Sequence, residues 1–589
     1  MMREVKWTSG VLVVLAMGAV APRPTAQAHY FKASNTDYAD EFGCSLAFDG
    51  ATLVVGARWE DSGAVGVDGD QHDESAGDSG AVYVYVRSGA SWVQQAYLKP
   101  SNTTPEDVFG TSVSVSGDTI AVGAPSEGGT GAAYVFTRVG TTWHQQAYLK
   151  ASSPGANDRF GSSVSLDHET LVVGAFREDS AATGVNGDQE DESASDAGAV
   201  YVFVRDGTSW QQQAYIKASN TTSYNWFGWS LSLSDDTLVV GAPQESEGAP
   251  GINGDDSVPG PHYSGASYIY LRSGNEWSQQ AFVKSTKPGE NDEFGQSVSI
   301  RGDTVAVGAR YETFLSEGVK YWTAGAAYVY ARDDGTWTQQ AYLRASNPGK
   351  YDFFGSSVSV GDEVLVVGAP GEDGSAVGLN GIEDEAALQA GATYAFVHDA
   401  GTWSQVAYAK ATNSAPWYEF GSAVGVAGDV MVVGSPGEQS AGTGVDGTQS
   451  DDGLPHAGAA YLYDLDVTPW LPLSSALAGT QGWPVLAGAG SALPASVCSL
   501  ALSKAAPNSP ALLALALDSA PLPFKGGTLV AAPVVTVVAQ MTDAAGTHNQ
   551  VFHWPPVPSG SVFHFQYAIT DPGAVYGVAL SNALRVDVP

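Results

Sequence analysis

The chain has 589 residues, too many for one ordinary compact core unless it is built from repeats. Its 70 glycines, 30 prolines and 26 tyrosines suit many short strands joined by turns. Acids outnumber bases 63 to 26, and the net charge of -37 excludes nucleic acid and anionic membrane surfaces as partners, because their phosphates would be repelled.

The N-terminus reads as an export signal. Arg3 and Lys6 give a weakly basic start, Val11 to Ala21 is an apolar run too short to span a bilayer, and Ala26-Gln27-Ala28 fits a small-x-small cleavage site. Residues 1–28 are therefore expected to be removed, leaving a secreted or cell-surface protein with no membrane insertion. The two cysteines, Cys44 and Cys498, read as two buried thiols rather than as a disulfide.

A Phe-Gly pair followed by a short alternating strand then recurs seven times: Phe42-Gly43, Phe109-Gly110, Phe160-Gly161, Phe227-Gly228, Phe294-Gly295, Phe354-Gly355 and Phe420-Gly421. Each pair leads into a strand such as Ser112 to Val115, a tight turn such as Ser116-Gly117-Asp118, and a second strand ending in Gly-Ala or Gly-Ser. A loop of variable length follows, then a third strand such as Ala81 to Arg87. A fourth opens with Trp, as in Trp92 to Lys99, with echoes at Trp143, Trp210, Trp277, Trp337 and Trp403. Alternation with a period of two over four to eight residues is the mark of a strand, and a repeated four-stranded unit is the blade of a propeller. The seventh unit lacks its Trp strand; its counterpart stands at His29 to Ser34, which reads like Ala147 to Ser152. The expected fold class is all-β: a seven-bladed propeller over 29–466 closed by an N-terminal strand. A linker over 467–486 and a small β-sandwich-like domain over 487–589 follow. A solenoid is the runner-up, but its rungs are usually shorter than these units.

The paired motif, whole at Phe109-Gly110…Gly123-Ala124-Pro125, Phe227-Gly228…Gly241-Ala242-Pro243 and Phe354-Gly355…Gly368-Ala369-Pro370, resembles the FG-GAP repeats of integrin α chains and of many secreted bacterial proteins. The resemblance covers roughly residues 29–466. It implies extracellular ligand binding or adhesion, often supported by calcium. The family's calcium loop lies between the first two strands of a blade, where this chain has only tight turns, so those sites are not carried over.

Acidic residues gather instead between the second and third strands. Asp68, Asp70 and Asp73 follow Gly66-Val67, and Asn186, Asp188 and Asp191 follow Gly184-Val185. Closely spaced carboxylates and amides around a Gly are what calcium takes, so these six are the candidate metal ligands and calcium the one candidate cofactor. The plainer reading is a solvated acidic turn. An acid also precedes most Phe-Gly pairs by two, as at Asp40, Asp107, Asp158, Asp292 and Asp352, where an Asx cap is expected. Arg301-Gly302-Asp303 falls in the turn filled elsewhere by Ser116-Gly117-Asp118, and so reads as repeat chemistry.

No nucleophile elbow, phosphate loop or metal-binding histidine pair is present in the sequence. The function expected is therefore binding, not catalysis: an extracellular protein or glycan ligand meeting loops on one propeller face. The alternatives are a secreted hydrolase or lyase with carboxylates at the propeller centre, and a structural cell-surface protein.

Overall fold

The computed structural model describes residues 27–465 except 90, 317–318, 382–383 and 400. Beyond 465 it describes 470–473, 485–489, 497–503, 505–516, 522–524, 527–529, 536–543, 546–553, 562–571, 578–581 and 583–587. The expected export signal lies outside the described residues, apart from Gln27 and Ala28. The chain divides into a compact unit over Thr25–Leu465 and a second one from Asp466 onward.

The first unit is all-β. Its helical content among the described residues is one short 3-10 turn, Glu127–Gly129. The first repeat pairs Ser45–Phe48, Thr52–Ala57, Ala81–Ser88 and Ser91–Leu98 as an antiparallel sheet in chain order, and the next five repeats do the same. The sixth adds a short strand, Gly378–Leu379, on its outer edge. In the seventh sheet, Ala423–Ala427, Val430–Ser435 and Ala459–Asp464 are joined by Gln27–Phe31, with Tyr30 opposite Tyr461. The N-terminal strand thus starts at Gln27, two residues before the expected start, and the expected cleavage point after Ala28 falls inside it.

The first strands of successive sheets pack side by side, and that of the seventh packs on that of the first. The glycines explain how close they come. A Cβ at Gly56, in the Gly-Ala pair, would overlap the carbonyl oxygen of Gly110, in the next Phe-Gly pair, and Gly434 stands the same way against Gly43. The Phe-Gly glycine itself sits at φ near +90, where L side chains rarely go (Gly43 +90, Gly110 +91). Ser45 Oγ donates to Gly110 O at 2.7 Å, and Ser163 Oγ to Gly228 O at 2.7 Å, closing each junction.

The Trp-x-Gln-Gln strand ties the outer edges. Trp143 Nε1 donates to Gln95 Oε1 of the preceding sheet at 2.9 Å, as does Trp277 to Gln213. The first Gln of the motif reaches the preceding connection, Gln94 Nε2 to Ser34 Oγ at 3.0 Å. Arg138 lies over Trp143 at 5.0 Å and pairs with Asp118 at 2.7 Å. Asp303, in the Arg-Gly-Asp turn, pairs in the same way with Arg332 at 2.7 Å, which makes it a framework residue.

In the second unit, Trp470–Leu473, Ala583–Asp587, Val562–Thr570, Pro510–Ala516 and Thr536–Met541 form one sheet, with Val578–Leu580 beside it. Val485–Ala489, Val497–Ser503 and His548–His553 form another. The two share a core that includes Leu486, Leu500, Leu513, Phe565 and Ile569. The segment expected as a linker, 467–486, therefore supplies strands, a correction with a physical reason: Pro472 sits on an edge strand, the place in a sheet where proline is tolerated.

Candidate functional site

Three features built by the repeat converge on the face that carries the loops between second and third strands. The first is a buried ion pair. Three residues after the Ala or Ser closing the second strand stands a glutamate in every repeat: Glu60, Glu127, Glu178, Glu245, Glu312, Glu372 and Glu438. In six repeats a lysine at the end of the fourth strand meets it, as Lys99 Nζ meets Glu60 Oε2 at 2.8 Å and Lys32 meets Glu438 at 2.8 Å. Glu60 also accepts the Tyr97 hydroxyl at 2.6 Å, the Ser62 amide at 3.1 Å and, from the preceding connection, Asn35 Nδ2 at 3.0 Å. Asn35 in turn accepts the Tyr83 hydroxyl, so the set joins neighbouring sheets. In the third repeat Ser153 replaces that Asn, and the buried Tyr201 hydroxyl has no partner. Buried charges persist only when paired and fully hydrogen-bonded, which this arrangement supplies.

The second feature is a bracket over the outer edge. In the first repeat the Asp68 amide donates to Tyr97 O at 2.8 Å, and Tyr97 N donates to Asp68 Oδ1 at 2.9 Å. Asn186 does this with Tyr215, Asn253 with Phe282, Asn380 with Tyr408 and Asp446 with Tyr30. The loop so held covers the free edge of the fourth strand, a common protection of sheet edges. Two of the six predicted metal ligands are thus clamps that Asn and Asp fill alike. Asp70 Oδ1 accepts the His72 amide at 3.1 Å, Asp188 Oδ1 that of Glu190 at 3.0 Å, and Asp191 Oδ1 that of Ser193 at 3.0 Å. The Ser193 hydrogen bonds hold the Asp191 carboxyl below the usual range. Asp73 accepts the Gly63 amide on its main-chain oxygen at 2.7 Å. These groups cap turns instead of converging, and no three His, Cys, Asp or Glu side chains among the described residues could hold a metal ion.

The third feature is a display. The acid two before Phe caps the turn behind it, as expected: Asp107 Oδ2 accepts the Thr104 amide at 2.7 Å and Asp158 Oδ2 that of Gly155 at 2.7 Å. Burial, then the charge of Glu60, pushes the Asp40 carboxyl up to about 8, and burial, then Glu312, pushes Asp292 to about 7. The residues on either side of this position, which is Asn225 in the fourth repeat and Tyr418 in the seventh, hold positive φ in every repeat, for example Tyr224 at 66 and Trp226 at 58. That conformation is uncommon for non-glycine residues and clusters at functional positions. It presents, just ahead of Phe, five residue types over the seven copies: Glu41, Val108, Arg159, Trp226, Glu293, Phe353 and Glu419. Glu41 meets Arg58 at 2.6 Å and Glu293 meets Arg310 at 3.1 Å. Trp226 stacks on Trp229 at 5.1 Å with Phe176 edge-on to both.

The second repeat interrupts the bracket. Its connection runs only from Ala124 to Ala132, whereas that after Ala57 runs to Ala81. Lys150, paired with Glu127 at 2.7 Å, is consequently 28% exposed where its five lysine counterparts are fully covered. A concavity of about 610 Å³ opens there, lined by Trp59, Glu106, Val108, Ser126, Asn157 and Arg159 among others. Sequence reasoning missed the Glu–Lys set and the display. The recurrence of Glu three residues after Gly-Ala was the available signal for the first. Cys44 is a free thiol, raised by burial; the side chain of Cys498 lies outside the described residues.

The model of the FG-GAP repeat matches residues 26–85, 92–136, 143–203, 210–270, 277–330 and 337–396, more than half of the chain. No curated protein matches it. Among solved structures it is similar to a putative 6-phosphogluconolactonase from Bacteroides uniformis, at 10% identity and a TM-score of 0.35, over 70% of this chain and 100% of that one. It is also similar to an acylaminoacyl peptidase from Pyrococcus horikoshii, at 12% identity and a TM-score of 0.36, over 80% of this chain and 59% of that one. Likeness this distant carries no argument about activity.

Proposed function

Because the chain belongs to the FG-GAP repeat family, we propose that it is an exported binding protein whose seven sheets are the blades of a closed propeller, and that it holds an extracellular protein or glycan on the loop-bearing face. Closure is supported by the N-terminal strand in the seventh sheet and by Gly434 standing against Gly43. The observation that carries the functional reading is the display: one uncommon backbone conformation, repeated seven times, that carries Glu in three copies and Val, Arg, Trp and Phe in the other four. A framework requirement would favour one residue type there, while recognition uses variety on a rigid scaffold. The Trp226–Trp229 stack and the Val108–Arg159 concavity are the parts of that face suited to ring stacking and polar contact. The perturbed aspartates serve as turn caps, which favours binding over catalysis.

The test is a screen of residues 29–589 on glycan and matrix-protein arrays, with calcium and with a chelator, beside the variants Trp226→Ala and Arg159→Ala. The expected result is binding to one ligand class that both variants weaken at least tenfold without a shift in Tm. Absence of binding under both conditions, or binding indifferent to both substitutions, contradicts the proposal.

A further inference from the structure

The fifth repeat keeps the glutamate of the buried ion pair and departs from the others at its cation. Arg344 stands where six repeats have lysine, and Glu312 accepts the hydroxyls of Tyr328 and Tyr342, each at 2.6 Å, in place of a cation. Relieved of that partner, the Arg344 guanidinium lies over Phe314 at 4.1 Å and Tyr342 at 5.3 Å. Among the described residues no carboxylate comes within ion-pair distance of it. The bracket is replaced by a hairpin, Phe314–Ser316 with Val319–Tyr321, whose Phe314 and Tyr321 rings stack at 5.0 Å and 18°. A concavity of about 490 Å³ opens between this hairpin and the fourth strand, lined by Phe314, Tyr321, Tyr342, Arg344, Ser346 and Phe396 among others. Beside it Lys320 Nζ lies 3.5 Å from the centre of the exposed Trp322 ring. Burial above all raises the Glu312 carboxyl.

A planar guanidinium takes a carboxylate through two parallel N–H bonds, and aromatic faces take the C–H face of a pyranose. The volume falls in the range of small-ligand sites. We propose that this concavity binds a saccharide bearing a carboxylate, a uronic-acid residue of a glycan chain. Arg344 holds the carboxylate, and the Phe314, Tyr321 and Tyr342 rings pack against the sugar. The site rests on the fifth repeat's own departures and stands apart from the display on the other repeats.

Calorimetry with trigalacturonate and with a hyaluronan tetrasaccharide at low salt tests it, using the whole chain, its Arg344→Lys variant and the methyl ester of trigalacturonate. Lysine stands at this position in the other repeats and pairs with the glutamate, so the variant is expected to fold with an unchanged or raised Tm while withdrawing the cation from the concavity. The expected result is saturable binding of at least one acidic oligosaccharide, weakened at least tenfold by Arg344→Lys; for trigalacturonate, methyl esterification weakens it as much. Absence of saturable binding of both oligosaccharides, or equal binding by the variant or the ester, overturns the proposal.

Discussion

Replacing Glu60 by alanine strips four donors of their acceptor at once: Lys99 Nζ, the Tyr97 hydroxyl, the Asn35 amide and the Ser62 amide. Lys99 is fully covered and keeps only the Ser79 hydroxyl, at 2.7 Å. Removing one partner of a buried pair leaves an uncompensated charge, so the expected loss is about 3–5 kcal/mol. The same substitution at Glu127 leaves Lys150, already 28% exposed, free to reach water. There the loss is expected to be about 2–3 kcal/mol, a part-exposed pair plus the hydrogen bonds from Tyr148 and Asn102. Urea unfolding followed by tryptophan fluorescence measures both, and the double variant Glu60→Met, Lys99→Met should recover most of the first loss, since apolar replacement of a whole buried pair is often neutral. If Glu127→Ala costs as much as Glu60→Ala, or Glu60→Ala costs under about 1 kcal/mol, the coverage argument is wrong.

A carboxyl raised in the folded state, as Asp40 is to about 8 and Asp292 to about 7, favours the protonated protein. Its contribution is therefore full below the unfolded value near ~3.9 and lost as pH climbs through the folded one. Tm should fall between about pH 4 and 8 and level off above it, and Asp292→Asn, whose counterpart in the fourth repeat is Asn225, should flatten the fall; a Tm that rises over this span refutes the assignment. Gly56→Ala puts a Cβ into the Gly110 carbonyl oxygen and should cost at least about 3 kcal/mol, while Gly117→Ala, in open space at φ +57, should cost about 1, so equal costs by thermal unfolding would refute the junction. Asp68→Asn keeps the clamp that Asn186 makes, so its Tm should match the parent with calcium or chelator present; a calcium-dependent gain lost in the variant would make Asp68 a metal ligand.

Much of the repeated four-stranded unit was legible because its constraints are local and recur. The Phe-Gly and Gly-Ala glycines mark backbone contacts that no other residue fits, and the absent Trp strand of the seventh repeat pointed to the N-terminus for its replacement. The acidic loops were harder to read, since spacing shows that carboxylates are close in sequence but not that they turn toward main-chain amides. Asn186, Asn253 and Asn380 alternate with Asp68 and Asp446 at one position, as residues whose side-chain oxygen accepts a main-chain amide can. The Lys–Glu set stayed hidden because charged residues are ordinarily solvated, and its burial exists only once a neighbouring sheet supplies Asn35 and its equivalents. Pro472 suggested a linker and proved to be an edge residue.

The central claim is that the fixed repeat builds the scaffold and its departures build the binding face. Grafting the third repeat's connection, residues 176–198, in place of 125–131 would bracket the fourth strand of the second repeat, cover Lys150 and fill the concavity beside Arg159. The array screen repeated on this variant should show an unchanged or raised Tm and loss of the ligand class that the parent binds. An unchanged binding profile in a folded graft would contradict the account.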